Sequence, residues 1–217
     1  MNGKPVGPKP FLILMPLIGM GLFVVLYILA ALKYPGGSWH NLDQDGFSFG
    51  HNYLCDLLDY FAVNGDINDG RFYARAALGV LCTSIILIWF YLPKLFSTKN
   101  INLRIIRYSG ILSLLITVFL ASGTHDLIIR IAGIFGSIAV ILCLVELWRA
   151  HYTRLFFLGT YCLIIFLLNY FVYETGQFIR ILPVLQKITF ISFILWFVLL
   201  NFQIIKNFKS IKSYGSN

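Results

Sequence analysis

Six apolar segments divide this chain, and the charges between them are sorted by side. The segments run at about 11–32, 76–96, 105–123, 127–148, 155–175 and 184–205. A helix crossing the hydrocarbon layer of a bilayer needs about 20 apolar residues. Six crossings therefore occupy most of the 217 residues, with no stretch left for a separate soluble domain. The composition agrees, at 59% hydrophobic and 12% charged; a soluble domain carries about 25% charged residues. The expected fold is all-α: one polytopic membrane domain over residues 1–217, a bundle of six transmembrane helices, with the lipid bilayer as its first partner.

The charges orient it. Lys4 and Lys9 precede the first segment, and Lys94, Lys99, Arg104 and Arg107 lie between the second and third. Arg149 and Arg154 lie between the fourth and fifth, and Lys206, Lys209 and Lys212 follow the sixth. All of these fall on one side of a six-span bundle. The other side carries nearly every acidic residue: Asp43, Asp45, Asp56, Asp59, Asp66, Asp69, Asp126 and Glu174. Lys and Arg near span ends favour the cytoplasm, so both termini are expected inside. The net charge of +8 is explained by this topology and does not indicate a nucleic-acid partner. The first segment is longer than the 7–15-residue core of a signal peptide, so it is read as a retained helix. Of the cysteines, Cys55 alone lies in a connection, and no CxxC spacing exists; neither a disulfide framework nor a thiol redox site is expected.

The connection at 33–75 is the one long connection. It leaves the first span through Tyr34-Pro35-Gly36-Gly37-Ser38-Trp39, a turn-rich exit with aromatics suited to the interface. Leu54, Leu57, Leu58 and Phe61 recur at helical spacing, with Asn52, Asp56 and Asp59 on another face. Residues 49–63 thus read as a short amphipathic helix that lies on the outer surface or caps the bundle. Ser109, Ser113 and Thr117 form a stripe on the third span, and Ala132, Gly133, Gly136 and Ser137 form one on the fourth. Small residues let helices approach closely in lipid, so these stripes are expected at helix contacts.

Candidate chemistry gathers on the outer side. Ionisable groups at membrane depth usually face the bundle interior or a water-filled cavity. His51, Asp56, Arg75, Arg130, Glu174 and Arg180 are candidates for a shared ligand pocket, together with His40, Asp59 and Lys187. His125 and Asp126 are the candidate catalytic pair: an imidazole exchanges protons near neutral pH, and Arg130 one turn on can hold a phosphate or carboxylate. The plainer reading has Asp126 cap the fourth span and pair with Arg130 at i,i+4. His51 and His125 are also candidate metal ligands, since imidazole with carboxylate suits zinc. HExxH, HxxxH and CxxC spacings are all absent. No cofactor is specified.

Other patterns are set aside. Asp69-Gly70-Arg71-Phe72-Tyr73-Ala74-Arg75 has one residue too many for the opening of the CDP-alcohol phosphotransferase signature, and the later aspartates are missing. Asp66-Ile67-Asn68-Asp69-Gly70 places its glycine one position late for a calcium loop. There is no GxSxG, and Lys187 lies too near a span end for a retinal lysine.

Tyr34-Pro35-Gly36-Gly37-Ser38-Trp39, Gly46-Phe47-Ser48-Phe49-Gly50-His51-Asn52-Tyr53-Leu54-Cys55-Asp56-Leu57-Leu58 and Gly79 resemble a family of small bacterial multi-pass membrane proteins, the domain of unknown function numbered 998. The likeness covers about the first 90 residues. That family's usual Ser-x-Leu-Gly is replaced by Cys55-Asp56-Leu57-Leu58. The resemblance implies a membrane fold and a bacterial cytoplasmic (inner) membrane, and carries no activity or site residue. The leading expectation is an outward-facing polar pocket for a lipid headgroup or small-molecule ligand. The alternatives are an intramembrane hydrolase or transferase acting on lipid at the outer leaflet, and a small transporter or channel. Transporters break their spans in corresponding halves, and Pro16 is the one proline well inside a span.

Overall fold

The computed structural model describes residues 10–97, 100–121 and 125–214; the side chains of Pro10, Ala121, His125 and residues 209–214 lie outside that description. Six helices carry the fold: α1 (Pro10–Leu32), α2 (Arg71–Tyr91), α3 (Ile101–Thr117), α4 (His125–Arg149), α5 (Thr153–Thr175) and α6 (Leu182–Tyr214). Each is long and apolar enough to cross a membrane. No strand occurs among the described residues, only the isolated bridges Gly36–Asp45 and Phe61–Ile67. The protein is an all-α membrane protein built as a six-helix bundle.

The apolar runs set the helices and local chemistry sets their ends. Asn100 caps α3, its side chain accepting from Leu103 N at 3.0 Å. Gly176 ends α5 with φ +68°, the left-handed turn that returns its N–H to Val172 O at 3.0 Å. The helix α2 starts at Arg71, ahead of the apolar run expected from residue 76, because arginine is a good helix former and its stem extends along apolar surface.

Each helix packs on the next, and α6 closes the ring on α1. Asn201, fully buried, fixes that closure by donating to Ile13 O at 3.0 Å. The two small-residue stripes meet where expected. Ser113 Oγ on α3 donates to Ala132 O on α4 at 2.8 Å, and Gly136 lets Ser113 approach so closely that an added Cβ would sit 3.0 Å from its hydroxyl. Near the terminal end of the bundle, Trp89 of α2 meets Trp196 and Phe197 of α6 edge-on, at 6.5 and 5.5 Å between centroids. Trp196 is fully buried and donates its indole N–H to Leu155 O at 2.9 Å. This aromatic layer fills the ring there.

The long connection forms a cap over the opposite end, and its helical content differs from expectation. In place of a helix over 49–63 it holds one 3₁₀ turn, Cys55–Leu58. Local side chains capture the backbone that a helix would need. Ser48 N donates to Asn52 Oδ1 at 2.9 Å, and Tyr53 N donates to Asp56 Oδ2 at 2.8 Å. Asn52 and Asp56, expected on a solvated face, are turned inward at 0% and 6% exposure. Leu57 and Leu58 still bury, against Ala30, Tyr34, Ala62 and Ala74. Gly37 sits at φ +78° with Asn64 N only 2.4 Å from where a Cβ would be, so this close crossing of two cap segments requires glycine.

Candidate functional site

The cap is tied to the bundle by buried polar contacts. Asn52 Nδ2 donates to Gly37 O at 2.7 Å and to Asp56 Oδ2 at 3.2 Å, while its Oδ1 accepts from Gln44 Nε2 at 3.0 Å. Lys187, buried on α6, donates from Nζ to Asn52 O at 2.6 Å and to Pro183 O at 2.9 Å. Phe47 and Phe49 lie 5.4 and 5.1 Å from the same ammonium, in reach of cation–π attraction. Arg75 Nε donates to Leu58 O at 3.0 Å, and Tyr27 Oη donates to Leu54 O at 2.6 Å. Burial raises the Asp56 carboxyl above its usual value, opposed in part by its hydrogen bonds from Asn52 and Tyr53 N. Burial, with Asp56 and Asp59 nearby, pushes the Cys55 thiol up to about 12.

The expected single pocket is divided by the structure into separate groups. Asp56 and Arg75 belong to the cap network just described. Arg130 forms a two-pronged pair with Glu174, Nε–Oε1 at 3.0 Å and Nη2–Oε2 at 3.1 Å, which joins α4 to α5. Asp126 accepts from Tyr173 Oη. Arg130 therefore spends its fork on Glu174 across the helix interface. His51 is exposed, with Nδ1 3.3 Å from Ser48 Oγ and its ring stacked on His40 at 4.9 Å. Arg180 is exposed in the 3₁₀ turn Ile179–Ile181. The His125 side chain lies outside the described residues, so its candidate catalytic and metal roles do too. Among the described residues no three His, Cys, Asp or Glu side chains converge as a metal site.

Beneath the cap the ring of helices frames a half-open chamber of about 360 Å³, lined by all six helices and by Leu54, Cys55 and Leu58 of the cap. Phe193, Phe197 and Trp89 form its floor on the aromatic layer. Its wall on α2 runs from Leu78 to Trp89, about 16 Å at 1.5 Å per residue, roughly half the hydrocarbon thickness. The walls are dominantly apolar, and most of their hydroxyls are already satisfied. Ser113 bonds Ala132 O, Thr117 bonds Ser113 O at 2.9 Å, and Thr189 bonds Leu185 O at 2.8 Å. Two amides near the cap keep spare capacity. Asn169 Nδ2 donates to Thr189 Oγ1 at 3.3 Å, and Gln186 Oε1 accepts from Leu54 N at 3.3 Å. The other half of each amide makes no hydrogen bond among the described residues, leaving an acceptor and a donor for a ligand.

The chain matches no protein-family model, no curated protein and no solved structure. Its functional reading rests on this geometry. The sequence reasoning passed over Asn169, Gln186 and Thr189, whose signal is polar residues set inside otherwise apolar spans. It also passed over Glu146, which is buried in α4 at 3% exposure and accepts from Asn102 at 2.8 Å and Arg149 at 3.1 Å.

Proposed function

We propose that this protein binds a lipid or other largely apolar small molecule in the capped chamber, with the molecule's polar end at Asn169, Gln186 and the cap. The observation that carries the reading is an apolar chamber of about 360 Å³ among the six long apolar helices, with its unspent hydrogen-bonding groups at one end. Ligand pockets of about this size are mostly apolar, with a few placed polar groups that fix orientation. The test is the lipid content of the protein purified in mild detergent, measured by native mass spectrometry. Gly133 lines the chamber, and a Cβ there would make only ordinary contact, 3.7 Å from Phe166. Gly133→Leu is expected to occupy the chamber and reduce the retained ligand at least tenfold with the fold intact. Equal retention in a folded Gly133→Leu protein would remove the chamber as the site.

The reading includes an orientation: both termini in the cytoplasm of a bacterium, the cap outside, as the lysine and arginine distribution and the family resemblance support. Cysteine labelling tests it. At pH 8 a thiol pushed up to about 12 is thiolate only to about one part in ten thousand, and Cys82, Cys143 and Cys162 lie within spans. The native background should therefore be silent to an impermeant maleimide. Asp45→Cys is expected to label in intact cells and Ser97→Cys only after lysis. The opposite pattern would invert the topology.

A further inference from the structure

A second cavity, of about 680 Å³, lies at the end of the bundle away from the cap, between the 3₁₀ turn Leu92–Leu95 and the first turns of α3. Lys94, Arg104 and Arg107 line it. Arg71 pairs with Asp69, Arg130 with Glu174 and Arg149 with Glu146, and no ion pair seen among the described residues neutralises these three cations. Glu146, the acidic residue in this half of the bundle, is held by Arg149 and Asn102. Arg107 is the most telling of the three. Its Nε is buried without a hydrogen-bond partner, and its guanidinium lies 5.1 Å from the Phe90 ring. Lys94 Nζ is similarly set over Tyr91 and Phe208, at 5.2 and 5.4 Å. Aromatic faces position these cations but supply no acceptor for their N–H groups. Buried at Nε, Arg107 can offer the cavity only its Nη groups, beside the Lys94 and Arg104 cations.

We infer that this cavity holds the phosphate of an anionic phospholipid. A phosphate offers several acceptor oxygens, and an arginine fork takes them in pairs. The start of α3 adds its dipole in the same direction. The rim separates a lipid from a soluble phosphate. Ile101 and Tyr108 are 63% and 66% exposed, and Phe90 is 45% exposed, so large apolar groups border the cations on a face that meets acyl chains. Lys94 and Arg104 lie within one turn of the ends of two spans, and Arg107 lies one turn further along α3. Basic pockets between transmembrane helices on the cytoplasmic side are a known way of holding anionic headgroups. With the orientation proposed above, this site faces the cytoplasmic leaflet. The phosphate site itself stands independently of that orientation and of the capped chamber.

The test compares phosphatidylglycerol, phosphatidylcholine of the same chains and inorganic phosphate, titrated into purified protein in neutral detergent. Bound lipid is counted by native mass spectrometry, and the thermal midpoint is followed in parallel. Phosphatidylglycerol should bind and raise the midpoint, and the other two should not. Arg104→Gln and Arg107→Gln should each weaken that binding about fivefold, and the double variant more than twentyfold. Arg107→Lys should fall between, since it keeps the charge and loses the fork. In Gly133→Leu, with the chamber filled, the preference for phosphatidylglycerol over phosphatidylcholine should persist, which separates this site from lipid held in the chamber. Should the double variant fail to fold, Arg104→Gln carries the test alone, because Arg104 is exposed and its loss leaves the core intact. Equal binding of both lipids, or full affinity in a folded Arg104→Gln protein, would overturn the assignment. So would stabilisation by inorganic phosphate equal to that by phosphatidylglycerol.

Discussion

Asn52→Ala is expected to lower stability by on the order of 4 kcal/mol, the largest effect of any single truncation in the cap. Asn52 is 0% exposed and makes four hydrogen bonds through its amide: to Gly37 O, Asp56 Oδ2, Ser48 N and Gln44 Nε2. Alanine removes all four and leaves buried partners without replacement, each worth about 1–3 kcal/mol when orphaned. The same residue's carbonyl holds Lys187, so a shift of this segment also disturbs a buried ammonium, which is stabilised only while its acceptors stay in place. For a chain of this size the loss corresponds to a fall of roughly 10 °C in thermal midpoint. Asn52→Asp is expected to be at least as damaging, since it keeps the acceptor, loses both donated bonds and sets a second carboxylate beside Asp56. Thermal unfolding in detergent, with limited proteolysis between residues 40 and 65, measures both. A midpoint within 2 °C of the parent for Asn52→Ala would show that the cap network contributes little.

The chamber depends on that cap. Leu54, Cys55 and Leu58 close it from above, and they are placed by the Tyr27, Arg75 and Gln186 bonds to the cap backbone. An opened cap is therefore expected to release the ligand as well as to destabilise the protein. This links the two measurements: Asn52→Ala should lose retained lipid through opening, and Gly133→Leu should lose it through filling, with the cap still closed.

The six spans were legible because each is a single property, an apolar run of sufficient length, and no tertiary contact is needed to read it. Their packing stripes were legible for a related reason. Ser113, Ala132 and Gly136 are small at helical spacing, and the lipid supplies no alternative use for such a stripe. The cap was not legible in detail. Its leucines do recur at helical spacing, and Leu57 and Leu58 do bury, yet the competing bonds from Asn52 and Asp56 to local backbone hold a 3₁₀ turn in place of a helix. Whether an asparagine side chain points to water or to its own backbone is decided by what its segment packs against, and here Lys187, 135 residues away, holds the Asn52 carbonyl. The polar residues at the cap-side span ends divided for the same reason. Arg130 had two carboxylates within reach on the sequence, Asp126 on its own helix and Glu174 on α5, and its fork aligns with the one across the interface. The chamber left almost no trace in the sequence, because a cavity is a property of where side chains fail to meet.

The half of the bundle away from the cap is closed by the opposite device. Two tryptophans are each laid on a glycine of a neighbouring helix. A Cβ on Gly110 of α3 would lie 2.6 Å from the Trp89 ring, and one on Gly159 of α5 would lie 2.8 Å from the Trp196 ring. Trp196 has no room to retreat, and Trp89 could move only into the chamber that it borders. Trp89 is packed on Phe197, and Trp196 is fully buried and anchored to Leu155 O. Gly110→Val and Gly159→Val are therefore expected to force the helices apart, at about 3 kcal/mol each or more. That exceeds the few tenths of a kcal/mol that valine gains over glycine in helix propensity. Gly79→Val is the matched control: it lies in α2, and a Cβ there meets nothing within 4 Å. It should keep or slightly raise the thermal midpoint, while the other two lower it by about 8 °C or prevent purification of a monodisperse protein. Because these tryptophans support the chamber floor, a folded Gly110→Val protein should also retain less ligand. Equal midpoints for Gly110→Val and Gly79→Val would mean that the Trp89 contact yields freely, and the aromatic layer could not then be the rigid floor on which the chamber rests.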